Sequence, residues 1–212
     1  MKASGVMGYF YFVCEWIMRL AYVNLLWFLF SLIGLIFLGI SPASVALFTI
    51  LRKWLRKETD LPIFQTFIQT FKKEFMKANK LGFVMALIGL FLYFDFKFLI
   101  AVGGTVQYAL SIPLLIISIF YLITLLYIFP VYVQYEVNLL QYIKNSFYIG
   151  IINMHITILT IAAIWLLSFL FSAVPGIVLF FGVSLVSISA MGGATLSFRR
   201  IETKQKKLRL QN

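Results

Sequence analysis

The chain has one cysteine and one histidine among its 212 residues. Cys14 has no partner for an intrachain disulfide, and no thiolate zinc site can be built from it. His155 is the single candidate centre for a Ser/His/Asp set, and no acid lies near it in sequence. Neither residue has a chelating companion at helical spacing, and no GxxxxGK[ST] phosphate loop occurs. Acids are scarce too: seven Asp and Glu stand against eighteen Lys and Arg, and only 12% of the chain is charged. These shortages point away from an enzyme, a metal and a cofactor. Gly/Ser linkers and internal repeats are also missing, and no stretch is long enough for a second soluble domain, so one domain over 1–212 is expected.

What the chain does have is apolar length. It is 62% hydrophobic, with a mean hydropathy of +0.99. A helix needs about 20 mostly apolar residues to cross ~30 Å of hydrocarbon. Such runs lie at 20–40, 81–101, 109–133, 147–171 and 174–196. Lipid offers no water to backbone groups, so each run is predicted to be a helix. The expected fold is an all-α, polytopic membrane helix bundle. It has five full spans, a short helix after Pro42 and an amphipathic cytoplasmic helix.

The N-terminal stretch does not read as a removable signal, because Lys2 is alone and Glu15 and Arg19 interrupt the apolar run. Residues 1–19 are expected to form an interfacial helix, with Tyr9, Phe10, Tyr11, Phe12 and Trp16 as an aromatic belt. Ser41-Pro42 is expected to end the first span and open the next helix, since Pro suits a first turn. Pro42–Lys57 has only about ten apolar residues, half a crossing by length. It either lies in the inner interface, with the N-terminus outside, or folds back through the bilayer, with the N-terminus inside. Pro113 and Pro130 mark the ends of the third span and Pro175 opens the fifth, where proline costs little. Gly192 and Gly193 suit close helix packing.

The net charge of +11 is read as topology and attraction to anionic lipid rather than nucleic-acid binding. A specific anionic ligand is the sharper alternative. Residues 52–80 carry eight basic side chains and the tail from Arg199 six. Both are expected in the cytoplasm of a multi-pass cell-membrane protein. The uncharged turns 102–108 and 172–175 fall outside, the loop 134–146 inside. The tail over 203–212 is the one stretch composed for disorder.

Within the basic segment, Thr59-Asp60-Leu61-Pro62 supplies a helix start. Phe64, Phe67, Phe71 and Phe75 then follow at spacings that place four rings on one helical face. Such a helix lies on a membrane surface, meets a partner, or packs on the protein's own spans. Polar groups within the bilayer are costly and therefore functional candidates. Asn24 is placed to bond across to another helix or to meet headgroups. Asn153 and His155, in the fourth span, read as interhelical glue. Asp95 and Lys97, near the external end of the second span, point to different helix faces. They read as interfacial anchors or as an external contact.

The motif Asn24-Leu25-Leu26-Trp27 is followed by Pro42, Ala43, Ala46, Leu47, Phe48, Arg52, Lys53 and Trp54, then by Asp60, Pro62, Phe64, Phe67, Phe71, Lys72 and Phe75. This pattern resembles the YesL-like family of bacterial integral membrane proteins. It departs from it at Ser41, where relatives commonly carry glycine. The resemblance implies an origin beside ATP-driven carbohydrate importers and polysaccharide-degrading enzymes, and it brings no catalytic residues. The expected function is a non-catalytic accessory or assembly partner of a carbohydrate (oligosaccharide) ABC importer. It would meet permease or ATPase subunits through Arg52, Lys53 and Trp54 at the inner interface, with Phe64, Phe67, Phe71 and Phe75 as anchors. The rival is an independent small-solute permease, with Asn24, Asn153 and His155 as its polar path and a homo-oligomer to build the pore. A membrane enzyme ranks last.

Overall fold

The computed structural model describes residues 6–211. Residues 1–5 of the expected interfacial helix and residue 212 of the tail lie outside the described residues. Seven helices run in order: α1 (Val6–Ile33), α2 (Phe37–Leu55), α3 (Ile63–Val102), α4 (Gly104–Gln134), α5 (Leu139–Ile152), α6 (Met154–Ala173) and α7 (Pro175–Gln211). Five of them are long and apolar enough to cross a membrane: Met7–Ile33, Ile63–Val102, Gln107–Gln134, Met154–Ala173 and Pro175–Lys207. The chain is an all-α, multi-pass membrane bundle.

Several boundaries differ from the sequence expectation, each for a local reason. The interfacial helix and the first span are one helix, α1, which ends at Ile33 rather than near Ile40. The break is a turn at 34–36, where Leu35 and Ile36 both take a positive φ, 59° and 60°. Gly34 packs its backbone on that of Gly39 across it, and Gly39 packs on the Ser31 backbone, so a Cβ on either would collide. Pro42 therefore opens nothing. It sits inside α2, in the second turn, where its missing N–H leaves the Leu38 carbonyl without a ladder partner. The amphipathic segment and the second span are also one helix, α3, of 40 residues. At 1.5 Å per residue it is about 60 Å long, twice the hydrocarbon thickness, so half of it must project beyond the lipid. The expected fourth span, 147–171, is divided at Asn153 into α5 and α6. Pro113 and Pro130 both lie within α4, while Pro175 opens α7 as expected. The tail composed for disorder continues α7 as helix to Gln211.

The helices pack as nested hairpins. α3 and α4 reverse at Gly103 and Gly104, with φ 64° and 63°, values only glycine adopts freely. Gly89 lets α4 come close: the Tyr121 hydroxyl donates to the Met85 carbonyl at 3.0 Å, at the spot where a Cβ on Gly89 would sit 2.7 Å from that oxygen. α6 and α7 close together through Gly193, whose missing Cβ leaves room for Thr160. α2 lies inside the bundle with most of its residues buried. Its Ser41 fills the space over Gly82 of α3, and its Phe48 stacks on Phe129 of α4, 5.7 Å between ring centres. α1 meets α7 where Asn24 bonds the Leu179 carbonyl, and meets the start of α3 where Phe30 packs on Phe67.

The main core gathers Val23, Leu26, Phe30, Leu47, Leu51, Trp54, Phe67, Phe71 and Met191. It sits toward one end, where α2, the start of α3 and the end of α4 meet. At the other end, among the described residues, Leu92, Leu99 and Leu114 form a smaller buried cluster. There Phe91, Phe94 and Phe98 of α3 and Ile112 and Leu115 of α4 stay exposed, the surface that lipid covers.

Candidate functional site

The charge collects at the core-rich end, where α2 finishes, α3 starts and α4 finishes. Three recesses share walls there. The largest, a groove of ≈ 400 Å³ among α2, α3, α4 and α5, presents Arg52, Lys53, Lys73, Lys77, Glu74 and Glu136. A second, of ≈ 110 Å³ among α2, α4 and α7, presents Arg52, Arg56, Gln134, Arg199 and Glu202. A third, of ≈ 250 Å³, opens beside Lys77, Lys80 and Tyr142.

Local sequence explains how these walls are held. Tyr132 and Tyr142 stack with centres 4.8 Å apart, and the Tyr132 hydroxyl donates to Glu74 Oε2 at 2.7 Å. That bond ties α3 to α4 and α5. α5 is aimed by a capping box in which Asn138 and Gln141 satisfy each other's backbone N–H groups. Gln134, the last residue of α4, accepts two guanidinium bonds on its Oε1, from Arg52 Nε at 2.9 Å and Arg56 Nη2 at 3.3 Å. Burial pushes the Arg52 ionisation below its ordinary range; the Arg56 charge adds to this and Glu58 opposes it. Among the described residues the one ion pair within 4 Å joins Arg19 to Glu15, so no carboxylate closes on Arg52, Arg56 or Arg199. Tyr135, stacked edge-on against Phe198, has its hydroxyl ionisation pushed up by burial and then by Glu202.

The residues named from the sequence fall into different places. Arg52 and Lys53 line the groove. Trp54 does not face the interface; it is buried in the main core, edge-on to Trp16 at 5.5 Å. The phenylalanine ridge faces inward. Phe67 is 0% exposed and Phe71 7%, and both rings pack on Phe30 of α1, with centres 5.2 and 5.1 Å away. Phe75 joins Phe71, and only Phe64, 48% exposed, keeps an open face. Of the placements left open for the ridge, packing on the protein's own helices is the one that forms. As external anchors, Phe67 and Phe71 are excluded because their surface is already spent.

Asn24 is fully buried and bonds across to another helix. Its Nδ2 donates to the Leu179 carbonyl at 2.8 Å. Its Oδ1 accepts from the Val183 and Ser184 N–H groups at 3.1 and 3.0 Å. Leu179 and Val183 are an i, i+4 pair, so this amide is inserted between two groups that a regular helix pairs with each other. Asn153 is buried at the α5–α6 break, where its Nδ2 donates to the Ile149 carbonyl at 3.2 Å. Beside it Thr157 bonds the Gly150 carbonyl at 2.7 Å and shares a 2.9 Å bond with the Tyr127 hydroxyl. His155 is exposed, the second residue of α6, and its Nε2 meets the Arg200 guanidinium of α7. Its neighbour across the helices is therefore an arginine side chain, neither a backbone carbonyl nor a hydroxyl. Asp95 and Lys97 form no pair, in keeping with their different faces. Lys97 turns back over the Tyr93 ring, 5.7 Å from its centre.

Sequence reasoning missed Gln134, Arg56, Arg199, Glu74 and the tyrosine pair as one assembly. They are spread over α3, α4, α5, α7 and the end of α2, and only Arg52 and Arg56 share a visible i, i+4 spacing. Among the described residues no three His, Cys, Asp or Glu side chains gather closely enough to hold a metal ion.

Comparison with known proteins gives a consistent family. Residues 20–96 match the profile described as protein of unknown function DUF624. Three uncharacterized proteins of Bacillus subtilis (strain 168) are similar over most of their length. YteU is 39% identical over 90% of this chain and 86% of its own. YesL is 35% identical over 92% and 91%, and YesV 31% identical over 90% and 92%. No solved structure matches the chain. The chain belongs to the DUF624 family.

Proposed function

We propose that this member of the DUF624 family is a non-catalytic accessory subunit of a larger membrane assembly, and that it meets its partner at the charged end of the bundle. The observation that carries this reading is the ≈ 400 Å³ groove with walls of both signs, Lys73 and Lys77 beside Glu74 and Glu136. Mixed charge in an open recess suits a polar partner segment, since complementary charge sets register and specificity. Meanwhile the buried amides that would serve a solute path, Asn24 and Asn153, are occupied in bonds to backbone. The positive-inside rule assigns this end to the cytoplasm. The carbohydrate ABC importer as partner comes from the family resemblance, not from the geometry. In this reading the contact is the groove rim rather than the phenylalanine ridge.

Isolation of the tagged chain in mild detergent tests the proposal. Permease or ATPase subunits of an importer are expected to co-purify, and to be lost from the Lys73→Glu/Lys77→Glu variant while its helicity is unchanged. An intact importer recovered without this chain, or equal recovery with the double variant, would refute it.

A further inference from the structure

The small recess among α2, α4 and α7 has a surplus that the docking groove does not explain. Arg52 and Arg56 reach it from successive turns of the α2 end, and Arg199 from α7. Gln134, a neutral amide, is the common acceptor for the first two. Glu202 is the one acid on the wall, it is exposed, and it lies beyond 4 Å of every guanidinium there. Three like charges around one hollow repel each other unless an anion enters. Guanidinium groups match phosphate and carboxylate oxygens in paired bonds, which an ammonium does not do. A volume of ≈ 110 Å³ admits a head-sized group rather than a chain.

We propose that this recess binds a phosphoryl oxyanion held between Arg52, Arg56 and Arg199, with Gln134 positioning the first two. The group comes either from an anionic lipid headgroup at the membrane surface or from a small phosphorylated solute. The proposal does not rest on a protein partner and survives failure of the docking reading.

The test uses the full chain and two probes. In detergent, inorganic phosphate is titrated against thermal unfolding at constant ionic strength. In nanodiscs, phosphatidylglycerol replaces phosphatidylcholine at fixed protein. Arg56→Gln and Arg199→Gln, both at exposed positions, are expected to weaken the responding probe about tenfold, as loss of a charge-assisted bond does. Lys204→Gln, an exposed cation outside the recess, removes the same charge and is expected to leave the response unchanged. Gln134→Glu supplies an internal counter-charge, so it is expected to raise the unfolding midpoint without any anion and to abolish the response. A response to phosphate identifies a solute source, and a response to phosphatidylglycerol alone a lipid source. If Arg56→Gln and Arg199→Gln behave like Lys204→Gln with both probes, or if Gln134→Glu lowers the midpoint, the site does not exist.

Discussion

Asn24 offers a stringent test of how this bundle is assembled. Its amide makes three bonds to the α7 backbone from a fully buried position. In membranes an interhelical hydrogen bond contributes about 0.6 kcal/mol on average and up to about 1.7. Three of them therefore bring close to 2 kcal/mol, a factor of about 30 in the unfolding constant. Asn24→Ala removes all three, but it also frees the Leu179 carbonyl and the Val183 N–H to pair with each other as in an ordinary helix. One bond is regained, so the net loss is expected at 1–2 kcal/mol by roughly this reckoning. Asn24→Asp keeps the acceptor but loses the donor to Leu179 while ionised, and regains an O–H donor when protonated. It is expected to be the less stable of the two at neutral pH and to recover as the pH falls. Unfolding in mixed micelles with rising sodium dodecyl sulfate, followed by tryptophan emission, measures both. Trp27, three residues on, is held to Ser44 at 3.0 Å and reports the nearby α1–α2 contact. A midpoint for Asn24→Ala that coincides with wild type would refute the bridge, and an Asn24→Asp variant insensitive to pH would remove it from the buried interior.

Four further outcomes are expected. Phe67→Ala empties a fully buried ring position and is expected to lose about 3–5 kcal/mol in the same assay, whereas Phe64→Ala, half exposed, is expected to lose under about 1 kcal/mol. Gly82→Val and Gly193→Val collide with Ser41 and Thr160 and are expected to impair folding, while Gly192→Ala, which meets open space, is expected to be neutral by circular dichroism on heating. Tyr132→Phe releases Glu74 and is expected to loosen α5, raising hydrogen exchange at residues 139–146 without altering α7. The Tyr135 hydroxyl, with its ionisation raised in the fold, contributes stability that is complete below the ordinary tyrosine value of about 10 and lost as the pH climbs through the raised value. Tyr135→Phe is therefore expected to flatten the alkaline limb of the stability profile.

The fold class was legible because apolar length is a one-dimensional property: hydrocarbon thickness sets it, and neighbours hardly change it. Boundaries that depend on backbone contact were not legible. The turn at Leu35–Ile36 exists because Gly34 and Gly39 touch, and nothing in the local run announces that two glycines five apart will meet. Pro42 was misread for the complementary reason, since a lone proline in a buried helix is tolerated when packing holds the helix on both sides. The spacing of Phe64, Phe67 and Phe71 did show a common face, but periodicity gives the direction of a face and not what covers it. Phe30, far away in sequence, decides that. The charged recess was hidden for the same reason, being assembled from the ends of α2, α4 and α7. Asn24 was visible as a polar residue in an apolar run. Its role as a bridge within another helix requires the placement of Leu179 and Val183.

The charges on α3 also fix where the lipid must lie. Between Lys80 and Asp95 the helix has no charged residue, and these two are separated by about 22 Å along the axis. The hydrocarbon is ~30 Å thick, so both cannot stand outside it even if α3 is upright, and any tilt shortens the span further. Asp95 has a short side chain and cannot reach far, whereas lysine can extend its ammonium along an apolar surface toward water. Asp95 therefore marks one interface, Lys97 folds back over Tyr93 at that level, and the Lys80 backbone lies about 8 Å inside the opposite one. Aspartate cannot substitute for lysine at such a depth. In a Cys14→Ser background, Lys73→Cys is expected to react readily with a membrane-impermeant maleimide and Lys80→Cys slowly. Lys80→Asp is expected to lower the yield of inserted protein, and Lys80→Gln to leave it nearly unchanged. Equal labelling at 73 and 80 would place the whole amphipathic half of α3 in water and move the lipid boundary beyond Leu81.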